Sequence, residues 1–459
     1  MIASGALILC VTMRELLDAA ARRASRYLES LEARSVAPAK EAIAALSKFE
    51  QAFPEHTSTA EAVLAELDDI GSPATMASAG GRFFGFVIGG SLPVTVAANW
   101  LAAAWDQNAG LAITSPTNAV LEAVALRWVK DIFHLPEQSA GGFVTCATAA
   151  NFAALAAARH ALLSRVGWDV EAQGLFGAPP LTLVVGDEVH ASVQKALALV
   201  GFGRERIVRV PVDAQGRMLA DALPSVDDQT IVCVQAGNVN TGAFDPIQEI
   251  CRRAHSQGAW VHVDGAFGMW AAAAPARAHL VHGVEDADSW ATDAHKWLNV
   301  PYDSGLVFTR NAAALRIAMS VGAAYLAQDE DRVPYQYTPD FSRRARGVEV
   351  WAALRQLGRP GLAALIERTC RYAGRFAEGL LDAGYRVLND VVLNQVLVSF
   401  GSSERTREVI ARVQGDGTCW CGGTVWQGHT AMRISVSSWA TTDADVERSL
   451  AAILRAAGS

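Results

Sequence analysis

The sequence predicts an α/β fold on a largely parallel sheet, with a smaller α+β unit towards the C-terminus and a helical N-terminal segment. Two observations carry this. Short β-branched runs alternate with helical segments from about residue 142 onward, as strands joined through crossover helices do. Runs such as AWVHV and TIVCV are apolar throughout, as strands covered on both faces are. Length agrees: 459 residues suit two or three structural units, with a core that needs no disulfide or metal staple. The expected division is a helical segment at 1–90, a large α/β domain at 91–350 and a small α+β domain at 351–459.

Along the chain, residues 1–13 are apolar, with no basic residue ahead of the run and too few residues to span a bilayer. Met13 is therefore expected to be the natural start, and residues 1–12 an extension rather than a signal peptide. Residues 13–70 read as helices, the last ending at Gly71-Ser72-Pro73. A glycine-rich aromatic stretch follows, GGRFFGFVIGG, and then the apolar helix PVTVAANWLAAAWDQ. GGFVTC, LTLVVGD, RIVRVPV, TIVCVQAG, AWVHVDG, DSWATD and SGLVFTR read as strands, with helices such as TAANFAALAAARHALL and DPIQEICRRAHSQG between them. Residues 326–346 are polar and aperiodic, the composition of a long functional loop. GVEVWAALRQLG restarts a helix, VVLNQVLVSF and MRISVSS read as strands, and DADVERSLAAILRAA as a closing helix.

Composition excludes several classes of function. Hydrophobic residues make up 51% and charged residues 19%, which is not a disordered chain. Lys and Arg number 39 against 47 Asp and Glu, for a net charge of −8. Such a chain is a poor partner for nucleic acid or an anionic membrane. The cysteines, Cys10, Cys146, Cys233, Cys251, Cys370, Cys419 and Cys421, show no paired zinc-like spacing. They read as reduced thiols of a cytoplasmic protein without a metal.

Four features carry chemistry. Lys296, in Asp293-Ala-His295-Lys296-Trp297, sits at a turn between two strand-like runs, and an uncharged lysine amine can attack a carbonyl. Asp264, in HVDGAFG, ends a predicted parallel strand, where ligands of open α/β sheets bind. A buried carboxylate there needs a partner, such as a protonated ring nitrogen, and the small Gly265 and Ala266 leave room for a flat ring. His190 follows another strand and offers a flat imidazole. Thr145–Asn151 joins a strand to a helix start, where N–H groups and a hydroxyl suit a phosphate. Phosphate cradle, stacking histidine, aspartate for a pyridinium and lysine for an aldehyde are together the equipment for pyridoxal phosphate.

These residues resemble the group II pyridoxal-phosphate decarboxylases, the family of aromatic-amino-acid, glutamate and histidine decarboxylases. HVDGAFG is similar to the family's HVDAA or HVDGA stretch, DAHKWLN to its NxHKW stretch, and GGFVTCATAANFAAL to its TSGGTEANLxAL run. SPTNAVLEAVALRWVKDIFHLP resembles its SPxxTxLExxxxxW segment, and SRRARGVEVWAALRQLG its RRFRxLKxW helix. The cradle departs from the pattern, with Cys146-Ala147 and Ala149 where relatives carry Gly-Gly and Glu.

The resemblance implies the aspartate aminotransferase fold (fold type I), pyridoxal 5′-phosphate as cofactor, and α-decarboxylation of an L-amino acid. Lys296 would carry the cofactor as a Schiff base, Asp264 would keep its ring nitrogen protonated, and His190 would stack on the ring. Ala147 and Thr148 would bind phosphate, with His295 close by. Ala266 would pack beneath the ring, and Asn238 would approach the cofactor oxygen or the substrate carboxylate. A loop tyrosine serves as proton donor in relatives; Tyr335 and Tyr337 are the candidates here, with Tyr325 behind them. Phe83, Phe84 and Phe86 either line an aromatic substrate pocket or belong to the core. Gln107 and Asn108 could reach a polar substrate. Arg343, Arg344 and Arg346 are expected to anchor the loop rather than bind a distal carboxylate. The family further implies a homodimer with composite sites, residues 113–116 reaching across. Related chemistries remain as alternatives: aldehyde formation, transamination, Cα–Cβ cleavage, or cofactor binding without catalysis.

Overall fold

A computed structural model describes residues 12–321 and 332–458. Residues 1–11, which include Cys10, and residues 322–331, which include Tyr325, lie outside the described residues.

The large sheet has seven strands: β1 (Ala140–Val144), β2 (Thr182–Gly186), β3 (Ile207–Val210), β4 (Thr230–Gln235), β5 (Trp260–Asp264), β6 (Ser289–Asp293) and β7 (Gly305–Thr309). Their order is β1-β7-β6-β5-β4-β2-β3. Neighbouring pairs among β3, β2, β4, β5 and β6 are parallel, and β7 runs antiparallel to both β6 and β1. This is the fold class the resemblance implies. β4, β5, β6 and β7 are buried along their whole length, in keeping with the apolar runs TIVCV and GLVF. β3, at the edge, exposes its two middle residues.

Helices cover both faces. On one side the alanine-rich helix Ala147–Arg165 packs on β6 and β7, where its small side chains allow close approach. The other side is the main core, filled by Trp270, Trp290, Trp297, Phe267 and Phe308, all but inaccessible to solvent. Each large apolar side chain buried there contributes roughly 1.5–3 kcal/mol. The tryptophan N–H groups are all bonded: Trp270 to the Asp293 carbonyl, Trp290 to the Val284 carbonyl and Trp297 to Thr369 Oγ1. Trp270 and Trp297 thereby brace the turn that carries Lys296.

The smaller sheet is antiparallel, in the order β10-β11-β9-β8, with β8 (Arg386–Val387), β9 (Gln395–Ser399), β10 (Gly422–Trp426) and β11 (His429–Ser435). Three of these differ from the sequence expectation, and β8, only two residues long, left no pattern to read. β9 starts only at Gln395, because Asn394 turns its side chain onto the Val436 carbonyl and Ser437. β10 was not legible: its Gly422-Gly423 start weakens the strand signal. The long helix Gly347–Asp382 is broken at Gly358, whose φ of 56° is left-handed, with Pro360 two residues on.

The described cysteines Cys146, Cys233, Cys251, Cys370, Cys419 and Cys421 are free thiols. Among the described residues no helix is long and apolar enough to cross a membrane, and no cluster of His, Cys, Asp and Glu could hold a metal ion.

Candidate active site

The topology gathers the chemistry-bearing residues at one edge of the large sheet. Parallel strands present their C-terminal ends together. β5 ends in Asp264, β6 in Asp293 with His295 and Lys296 just beyond, and β2 is followed by His190. β4 leads into Asn238, and β1 into the helix that starts at Ala147.

Asp264 is 5% exposed. Its Oδ1 accepts the Ala266 N–H at 3.3 Å, and its Oδ2 accepts the Ser192 hydroxyl at 3.4 Å. Burial pushes its carboxyl up from the ordinary range, against the pull of His190 and Lys296. A ring N–H placed there would supply the missing counter-charge. His190 caps the helix Ala191–Leu199: its Nδ1 accepts the Ser192 N–H at 3.2 Å and lies 2.8 Å from Ser192 Oγ. That bond assigns the ring proton to Nε2. Burial pushes the imidazole down, so the ring is a neutral flat face.

Lys296 Nζ lies 2.9 Å from Asp293 Oδ2. Asp293 is 2% exposed, and its Oδ1 accepts the Ala147 N–H at 2.6 Å. His295 accepts the Ser304 N–H on Nδ1 at 3.0 Å, and its Nε2 stands 3.7 Å from Asp293 Oδ1. Burial holds this imidazole down as well. The lysine turn is clasped from outside by the glycine-rich stretch: a Cβ on Gly89 would stand 2.1 Å from the Lys296 carbonyl oxygen. Only glycine lets the two backbones approach this closely.

Thr148, in the first turn of the Ala147–Arg165 helix, is half-buried, and Cys146 supplies that helix no side-chain cap. Asn238 is buried; its Oδ1 accepts the Asn240 N–H at 2.8 Å, while its Nδ2 has no hydrogen-bond partner among the described residues. Ala266 remains partly open. The room expected beside it does not come from Gly265, because a Cβ there would stand 2.2 Å from the Met269 side chain. Gly265 is small to fit Met269.

Several expected site residues lie elsewhere. Phe84 is wholly buried and meets Phe376 edge-on at 5.1 Å, in the core of the small sheet. Phe83 is 4% exposed and stacks on Trp420 at 5.2 Å. Both pack in core clusters, the core alternative of the two, and Phe86 stands on the surface beside Trp420. Gln107 and Asn108 are exposed, and Asn108 Oδ1 accepts the N–H groups of Gly110 and Arg343 at 3.0 and 3.1 Å. Its side chain is thus committed to tying two loops together.

Tyr335 is buried against Phe341 at 4.4 Å, and Tyr337 lies under the Arg332 guanidinium at 4.5 Å. Among the described residues neither has a hydrogen bond or ring contact to Lys296, Asp264 or His190. The three arginines do anchor their segment: Arg343 pairs with Glu122 at 2.7 Å, Arg346 with Asp303 at 2.7 Å, and Arg344 with Glu349.

Three residues at the site carried no role in the sequence reading. Ser192 bridges His190 and Asp264. Tyr302 stacks on His295 at 4.3 Å and is 55% exposed. Arg433, on β11, is half-buried and donates to the Val239 carbonyl and Asn240 Oδ1, each at 3.2 Å, with no acidic partner among the described residues. Burial pushes its guanidinium down to about 10. An arginine inside the apolar run MRISVSS was the available signal for the last; nothing marked the other two.

Taken together, the donor set fits pyridoxal phosphate. It holds an amine, a buried carboxylate, a flat imidazole, a helix start with free N–H groups and a half-buried guanidinium with no acidic partner among the described residues. Comparison with known proteins agrees. Residues 43–401 match the model of the pyridoxal-dependent decarboxylase conserved domain. An aromatic-L-amino-acid decarboxylase of Bacillus atrophaeus is 29% identical over 290 residues, covering 60% of this chain and 58% of that protein. A 4-hydroxyphenylacetaldehyde synthase of Rhodiola rosea is 25% identical, covering 92% of this chain and 90% of that protein. The Oryza sativa TDC structure with PLP and tryptamine superposes with a TM-score of 0.89 at 22% identity, covering 98% of this chain and 99% of that one.

Proposed function

Because the chain belongs to the pyridoxal-dependent decarboxylase family, we propose that it removes the α-carboxylate of an L-amino acid as carbon dioxide and releases the amine. The observation that carries this reading is the pairing of a buried, hydrogen-bonded Asp264 with Lys296 at adjacent strand ends. When bound, the cofactor supplies a conjugated ring that takes up the electrons of the breaking Cα–carboxylate bond.

The chain's own residues do the rest. Lys296 would hold the cofactor through its side-chain nitrogen. Asp264, desolvated and charged, holds a proton on the ring nitrogen. His190 keeps a flat neutral face against the ring and excludes water from it. Thr148, with the first turn of its helix, binds the phosphate. Arg433 receives a carboxylate of the substrate, because a half-buried guanidinium with no acidic partner among the described residues gains from an anion. The proton returned to Cα comes from a phenol: Tyr335 or Tyr337 if the loop carries it to the site, or Tyr302, which already stacks on His295.

The protein acts as a homodimer with composite sites. Ile113 at 89% exposure, with the exposed Trp100, Leu101 and Trp105, gives the apolar surface such a dimer would cover. A second reading is oxidative: dioxygen is reduced to hydrogen peroxide as the amino acid loses carbon dioxide and ammonia and leaves as an aldehyde; it is favoured by the absence, among the described residues, of a loop-tyrosine contact at the site and by the likeness to an aldehyde synthase.

Mass spectrometry of products after incubating the cofactor-loaded protein with pooled L-amino acids tests this. An amine lighter than its parent by one carbon dioxide is the expected result. An aldehyde supports the second reading. A keto acid, or no product from any amino acid, overturns the proposal.

A further inference from the structure

Asp293 does more than neighbour the lysine. Both of its oxygens are engaged: Oδ1 with the Ala147 N–H at 2.6 Å, Oδ2 with Lys296 Nζ at 2.9 Å. The side chain is 2% exposed, so water does not screen it. Its backbone is fixed too, the N–H on the Ala266 carbonyl and the carbonyl on Trp270 Nε1. The carboxylate therefore stands at the start of the Ala147–Arg165 helix, on one of the N–H groups expected to meet a phosphate. A helix start favours one anion, and here a side chain of the protein is that anion.

We propose that Asp293 is a positioning residue that competes with the cofactor's phosphate for the start of this helix, leaving the phosphate to the N–H groups beyond Ala147 and lowering the affinity for it. The inference rests on the cofactor reading above. Two like charges near one helix turn repel, and the repulsion is strong where water is excluded. The same carboxylate holds Lys296 as an ion pair, which the lysine must leave before its nitrogen can bond a carbonyl carbon.

Asp293→Asn keeps the size and an oxygen for the Ala147 N–H while removing the charge. Asp293→Ser removes the charge by a different route, should the amide disturb the turn. Equilibrium binding of pyridoxal 5′-phosphate and of pyridoxal, which lacks the phosphate, is measured on the cofactor-free wild type and both variants. Thermal unfolding without ligand shows that each variant is folded. The expected result is that removing the charge tightens binding of the phosphorylated compound roughly tenfold or more, and of pyridoxal by clearly less. Unchanged or weaker binding of pyridoxal 5′-phosphate overturns the proposal. An equal gain for both compounds also overturns it, because Asp293 would then act through Lys296 alone. If the wild type itself fails to bind pyridoxal 5′-phosphate, the cofactor reading falls instead, and the wild-type titration alone reveals that.

Discussion

His262 makes the fold beneath the site sensitive to acid, by an amount that can be worked out. It lies on β5, two residues before Asp264, wholly buried. Its Nε2 is 2.8 Å from Asn151 Oδ1 and its Nδ1 is 2.9 Å from Ser289 Oγ, and that hydroxyl also accepts the Trp260 indole N–H at 2.9 Å. The network suits a neutral imidazole with its proton on Nε2. Burial pushes the ring down from 6.5 to about 3. The folded state therefore refuses a proton that the unfolded chain accepts below 6.5. The contribution is intact above that pH and lost as pH falls towards 3, at about 1.4 kcal/mol per pH unit. At two units below 6.5 the loss is about 2.7 kcal/mol. His262→Gln cannot titrate and costs about 1–3 kcal/mol at neutral pH through an imperfect hydrogen bond. Urea unfolding of both cofactor-loaded proteins at pH 7.5 and pH 4.5 checks this. The wild type should lead at the higher pH, and the gap should close or reverse at the lower. A gap of the same size at both would refute the reasoning, since every other group titrates alike in the two.

Three further outcomes follow from the site and its supports. Asp264→Ala should lower kcat by about a thousandfold, roughly 4 kcal/mol, while the protein still takes up cofactor; kinetics with an absorbance measurement separates the two effects. Arg433→Met removes the half-buried cation and should lower kcat/KM about 10- to 100-fold, mostly through KM, in steady-state assays. Glu122 is buried between Arg343 at 2.7 Å and Arg332 at 3.3 Å, so Glu122→Gln leaves buried charge uncompensated and should cost about 3–5 kcal/mol in denaturant unfolding.

The large sheet was legible because most of its strands are buried on both faces, so their apolar runs announce themselves. The site was legible for a related reason. Parallel strands bring their ends together, so Asp264, His190 and Lys296, far apart in sequence, each sit just after an apolar run. What escaped was set by packing between distant segments. No local pattern shows that Phe84 fills the small core against Phe376, or that Tyr302 lies against His295. Gly265 and Gly89 look alike in sequence, yet one makes room for Met269 and the other for the Lys296 backbone. Arg433 is brought to the site by a strand of the other sheet, so only the fold reveals it.

The most direct test concerns which lysine holds the cofactor. The chain has five lysines, Lys40, Lys48, Lys130, Lys195 and Lys296. Borohydride reduction of the pyridoxal-phosphate-loaded protein, followed by peptide mass spectrometry, locates the attachment. The assignment of Lys296 as the attachment point predicts a phosphopyridoxyl group on Lys296 alone. Attachment to any of the other four, or to none, would contradict it.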